Sequence, residues 1–244
     1  MQKFLFLAAS LSLMHAALGQ VKEGKIIYER KVDMYRQLED ERAKSMLPQF
    51  NISKTELDFS ADESIYKNLK QEEDIRDKAG EDNNGRVVIK LDGGDDQTYK
   101  NINTGKMVQQ KELGPKKYII EDTLPRQNWK LLEEIRIIKG YTCKKATTTN
   151  RKGMGITAWY AEDIQASVGP EFFGGLPGLI LELNINDGEI AFTALDIITA
   201  AFDKKIVKAP TEGKPISASE YHKLMEDQFG AKPGGGMSIR IIHN

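Results

Sequence analysis

The chain reads as a mainly β protein (α+β): one curved antiparallel sheet with one or two covering helices, for which the open half-barrel of lipoprotein carriers is the nearest shape. Three observations predict this. Short segments in which apolar and polar residues alternate recur along most of the chain. Turn-forming triplets such as Asn103-Thr104-Gly105 and Asn186-Asp187-Gly188 separate them. No helix of ordinary length interrupts the run, and strands far outnumber helices, the pattern of an antiparallel sheet packed on one face.

The first element is a half-buried strand over residues 25–34, where Ile26, Tyr28, Val32 and Met34 share one parity. Residues 35–47 are rich in Glu, Arg, Leu and Ala and stop at Pro48, which predicts a short helix with a thin apolar stripe of Leu38 and Met46. Strands over 54–59 and 64–69 form a hairpin about Ser60-Ala61-Asp62. Residues 70–85 hold many charges and few apolar side chains, so burial cannot offset their ordering entropy and a loop is expected.

A second hairpin pairs 97–102 with 106–112, its turn supplied with positive φ by Gly105. Strands over 117–121, 129–138, 141–148 and 155–161 continue the meander. The clearest hairpin joins 179–185 to 189–197 around Asn186-Asp187-Gly188, with Leu181, Leu183 and Ile185 on one face. After Pro210 and Pro215 the period becomes helical over about 217–229. Ser217 and Glu220 have capping-box spacing there, Tyr221, Leu224, Met225 and Phe229 share a stripe, and Gly230 is the stop. A flexible tail through Pro233-Gly234-Gly235-Gly236 follows, and Ile239, Ile241 and Ile242 suit a last short strand.

Residues 1–19 carry one positive side chain, Lys3, then an apolar stretch and small residues at Ala17-Leu18-Gly19. That is the order of a cleavable signal peptide, with cleavage expected between Gly19 and Gln20. Residues 20–244 are then a single β-rich domain. The only cysteine is Cys143, so there is neither a lipid-bearing cysteine at the new terminus nor an internal disulfide framework. No later run is long and apolar enough to predict a permanent membrane anchor. The expectation is a soluble protein of the periplasm or the exterior. Loss of Lys3 takes Lys+Arg from 35 to 34 against Asp+Glu 36, a net charge of −2 with both signs interspersed, which excludes a basic nucleic-acid footprint.

One stretch is more specific. Gly175-Leu176-Pro177-Gly178-Leu179-Ile180, the preceding Gly169-Pro170, the Ala158-Trp159-Tyr160 segment and Gly140-Tyr141 with Cys143 resemble the pattern of the GLPGLI family. The resemblance is dense over about a fifth of the chain. It implies an exported product of Bacteroidetes-type bacteria, without established activity, that accompanies outer-membrane transport systems. Physically, Gly174 and Gly175 allow positive φ or close approach, and Pro177-Gly178 is a type II turn signal. Two readings follow. The rigid turn lines a groove with Trp159, Tyr160, Phe172 and Phe173 for an apolar ligand or partner, or it is a corner that seats the last hairpin. Glycine, proline and leucine bring no chemistry, which favours the corner.

Chemical candidates are few. Cys143 is the one evident nucleophile, but Lys144 points to the opposite face of the same strand, and a buried, inert free thiol is expected. His222 and His243 are too few for a histidine metal cluster, and Asp92, Asp95 and Asp96 lack calcium-loop spacing. No nucleophile elbow, zinc-protease motif or phosphate-cradling loop is present. No metal or cofactor is expected. The chain therefore reads as a non-catalytic binding or accessory protein of an envelope process, its partner a hydrophobic ligand or an outer-membrane transporter. The alternatives are a hydrolase with dispersed acidic residues, and a protein that docks on a transporter by strand addition through its C-terminal strand.

Overall fold

Alternation along the chain produces the strands of the computed structural model, which describes residues 21–36, 38, 41–46, 48–69, 94–199 and 206–229. The strands are β1 (Gly24–Asp33), β2 (Phe50–Phe59), β3 (Glu63–Asn68), β4 (Gln97–Asn101), β5 (Lys106–Leu113), β6 (Lys116–Thr123), β7 (Lys130–Ile138), β8 (Tyr141–Thr149), β9 (Gly155–Ala161), β10 (Leu179–Ile185), β11 (Ile190–Ile198) and the two-residue β12 (Lys214–Pro215). All twelve join one sheet in the order β12-β6-β5-β4-β3-β2-β1-β11-β10-β9-β8-β7. Among the described strands the β12–β6 pairing is parallel and the rest antiparallel, and an isolated parallel bridge joins Val21 to Ile164.

The chain connectivity forces this sheet to bend. Residues 124–129 join β6 to β7, which stand second and last in the strand order. Strands ~4.8 Å apart would set these two ~48 Å apart on a flat sheet, while the linking residues reach ~25 Å at most. The sheet therefore curls until β7 approaches β6. Among the described residues no pairing joins its edges, so the sheet is open.

What covers the inner face is the long connection between β9 and β10, residues 162–178. Lys100 on β4 and Trp129 beside β7 both reach it, Trp129 Nε1 donating to Gly174 O at 2.9 Å. Ile164, Ala166, Val168, Phe173 and Leu176 are buried from this loop, in one cluster with Ile26, Tyr28, Leu57, Phe59, Leu183 and Phe192 of the strands. Ile65, Tyr99, Val108 and Ile119 form a second cluster with Val207.

The helices are small. The one expected over 35–47 is a 3-10 turn, Met34–Arg36, and a six-residue helix α1, Glu41–Met46. A stripe as thin as Leu38 and Met46 gives a longer helix too little to bury. Helix α2 (Ala218–Phe229) begins at the expected cap: Ser217 N donates to Glu220 Oε2 at 2.9 Å and Glu220 N to Ser217 Oγ at 3.2 Å. It packs on β6 through an edge-on contact of Tyr221 with Tyr118. Among the described residues no helix is long and apolar enough to cross a membrane. The leader over 1–19, the loop over 70–85, the stop at Gly230, the tail at 233–236 and the strand at 239–242 lie outside the described residues.

Candidate functional site

The family-like hexapeptide ends the loop and enters β10. Its backbone is bonded locally, Gly175 N to Ser167 O at 2.9 Å and Ile180 N to Val168 O at 3.1 Å. Gly175 has φ +80, and a Cβ at Gly178 would run into the Ala161 carbonyl. Gly169 lies so close to β10 that a Cβ there would meet Ile180 Cδ1 at 2.7 Å. Pro170, Leu176, Leu179 and Ile180 are buried and Pro177 is exposed. Tyr28 on β1 donates its hydroxyl to Ile180 O at 2.6 Å, fixing the end of the motif to the sheet.

Of the four aromatic residues assigned to a common groove, Trp159 and Tyr160 diverge. Tyr160 is buried opposite Ile180, whereas Trp159 lies opposite Glu182 and Lys145, beneath the Arg136 guanidinium at 4.3 Å. Alternation along β9 sends them to opposite faces. Phe173 stacks on Phe172 on the loop and is buried in the core. The site residues thus divide between a corner, Gly169 to Ile180, and an outer aromatic position at Trp159. A bulge at Leu181 lets Ile180, Leu183 and Ile185 share the face of Tyr160, Ala158 and Ile156.

A polar cluster beneath the same loop was not legible in the sequence. Lys100 is completely buried, and its Nζ donates to Gly169 O at 2.6 Å and Phe173 O at 3.0 Å. Burial pushes its ammonium down to about 7, with the Glu171 carboxylate opposing that fall. Glu171 has φ +50, a left-handed conformation that costs a non-glycine residue energy, and it pairs with Arg30 Nε at 3.5 Å. Below it lie Thr55, Ser64 and Tyr66, whose buried hydroxyls have no hydrogen-bond partner among the described residues. Leaving such a group unsatisfied costs about 1–3 kcal/mol each. Burial foremost, then Glu171, raises the Tyr66 phenol well above its usual range.

Other candidates are structurally committed. Cys143 is buried, and burial raises its thiol to about 11 although Arg136 opposes the rise. Glu56 and Asp58 stand side by side on β2, each shared between Lys25 and Lys67 at 2.8–3.5 Å. Asp58 is raised by burial despite Lys67, while for Glu56 the hydrogen bonds from Lys25 and Lys67 outweigh burial and lower it. Asp95 pairs with Lys117 and Asp96 with Lys111. His222 is exposed beside Glu226, and His243 and Asp92 lie outside the described residues. Among the described residues no group of His, Cys, Asp or Glu is placed to hold a metal ion.

Fold and site together define an open β-bowl whose inner face is closed by its own loop. The family model described as "N-glycanase peptide, N-terminal domain" matches residues 90–221, more than half of the chain, and the chain belongs to that family. No curated protein matches. Two solved structures of PNGF-II are similar. The one in space group C2 has TM-score 0.56 and 19% identity over 83% of this chain and 32% of that one. The one in space group P21 has TM-score 0.57 and 18% identity over 85% of this chain and 34% of that one. At such identity the likeness establishes the fold, and the chain spans about a third of the length of those proteins.

Proposed function

We propose that this chain is a non-catalytic binding module of an exported protein, serving N-glycanase-type action by holding a partner or substrate rather than cleaving it. One observation carries the reading: the buried amine, the paired carboxylates of β2 and the thiol are spent on the fold. Lys100 secures the loop, Glu56 and Asp58 are locked between two lysines, and Cys143 is held as the thiol. The match to an N-terminal domain within a longer N-glycanase supports an accessory role. The leader-like residues 1–19 and the resemblance to the GLPGLI family support work in the periplasm or outside the cell. A lipid-carrier role fits less well, because Val168, Phe173 and Leu176 occupy the face an acyl chain would take.

The test is to incubate the purified chain with an N-glycosylated protein, measuring binding by calorimetry and glycan release by mass spectrometry. Saturable binding without release is expected. Glycan release refutes the non-catalytic reading, and absence of binding refutes the module.

A second reading, docking on an outer-membrane transporter by strand addition, is favoured by β7. Among the described residues that strand is an edge of the sheet, and its Leu131, Ile135 and Ile137 are 54%, 61% and 66% exposed. The opposite edge is blunted by Pro215 in a two-residue strand and by α2.

A further inference from the structure

We propose that the inner face beneath Glu171 is a binding site for a small oxyanion, a carboxylate or phosphate group, held by Lys100, Ser64, Tyr66 and Thr55 with Arg30 at its rim. The inference rests on the binding-module reading and gives it a ligand class.

The residues lie on one face of adjacent strands. Ser64 is directly opposite Lys100 on β4, Tyr66 is two residues further along β3, and Thr55 is its diagonal neighbour on β2. The three buried hydroxyls are rotatable donors without a well-formed hydrogen bond, although Thr55 lies close enough to Tyr66 to act on its phenol. The Lys100 ammonium has three N–H groups and gives two of them to Gly169 O and Phe173 O. The donors that remain lie on the face that the loop covers, and charge selects among guests. Below about pH 7, where the folded chain keeps the Lys100 proton, Lys100 and Arg30 are cationic against the carboxylate of Glu171, so an anion completes the site where a metal cation would meet an ammonium. A neutral hydroxyl compound would satisfy the hydroxyls and leave the surplus positive charge. Arg30 and Glu171 are 27% and 31% exposed, which places their pair at the solvent-facing mouth.

The experiment titrates inorganic phosphate and, separately, acetate into the whole chain at about pH 6, where Lys100 is protonated, and at constant ionic strength, with chloride as control, following amide NMR shifts and melting temperature. Saturable shifts at Ser64, Tyr66, Lys100 and Glu171 beyond those of chloride are expected, and the tighter ligand of the two identifies a phosphate-bearing or a carboxylate-bearing guest. Tyr66→Phe removes a hydroxyl that holds no well-formed hydrogen bond and should fold as the wild type while binding about five- to tenfold more weakly. Arg30→Gln should weaken binding similarly. If neither oxyanion exceeds chloride, or if Tyr66→Phe binds undiminished, the hydroxyls hold water alone and the proposal is wrong. Saturable oxyanion binding in a chain that fails to bind glycoprotein would overturn the module reading and leave this site standing. The reverse pair of results would overturn the site alone.

Discussion

Lys100→Met tests the central link between burial and loop attachment, because it removes the titrating group and keeps most of the side chain's length. The folded ammonium titrates at about 7, against an ordinary lysine value of 10.5. Below about pH 7 the folded and unfolded chains both carry the proton, so the folded state bears the whole cost of the buried charge. Between the two values only the unfolded chain keeps it. The unfolded state then binds more protons, and stability rises with pH. Over the whole window the rise is about 5 kcal/mol, at ~1.4 kcal/mol per pH unit of displacement. Cys143 and Tyr66, both raised by burial, act in the opposite direction once their unfolded forms ionise. The clean interval therefore ends near pH 8.5, and within it Lys100 contributes about 1–2 kcal/mol. Urea unfolding at several pH values from about 7 to 8.5 reads this as a moving midpoint at constant slope. The wild type should gain stability across the interval and Lys100→Met should be flat. A variant that retains the wild-type rise would show that Lys100 is not its source, and a flat wild type would show that the amine is not buried as described.

Two further outcomes follow from the corner. Gly169→Ala places a Cβ 2.7 Å from Ile180 Cδ1 and 2.8 Å from its Cβ. Ile180 is fully buried and cannot swing aside, so a loss of about 1–3 kcal/mol is expected in thermal or denaturant unfolding. A change within a few tenths would mean that the loop is not pressed against β10. Cys143, held near 11 and without exposure, should react with iodoacetamide at neutral pH only as fast as the chain unfolds. Reaction faster than global unfolding, measured by mass spectrometry, contradicts that placement.

The sheet was legible because its information is local. The parity of Ile26, Tyr28 and Val32 and the turns at Asn103-Thr104-Gly105 and Asn186-Asp187-Gly188 act within a few residues, and each appears where the pattern put it. Curvature is a different quantity, recoverable only after strand order is known, since residues 124–129 constrain nothing until β6 and β7 are seen to lie at far positions in one sheet. The corner was legible in part. Gly175, Pro177 and Gly178 announced a sharp turn, but their partners Tyr28, Ala161 and Ser167 are set by pairings distant in sequence.

Lys100 marks where local reading ends. Within its own strand it is one more polar residue of an alternating run, and lysine is seldom fully buried. What makes it a buried anchor is the loop at residues 169–173, nearly seventy positions later, folding over it to offer two carbonyls. The same loop sets Glu171 above Tyr66 and leaves hydroxyls unmatched on β2 and β3. Structural glycines and an unmatched polar cluster therefore have one cause. The close approach that Gly169 permits brings the loop near enough for Lys100 to bond it, and that contact buries the groups from which a ligand site is made. A side chain added at Gly169 should accordingly disturb oxyanion binding and stability together, whereas Tyr66→Phe should separate them.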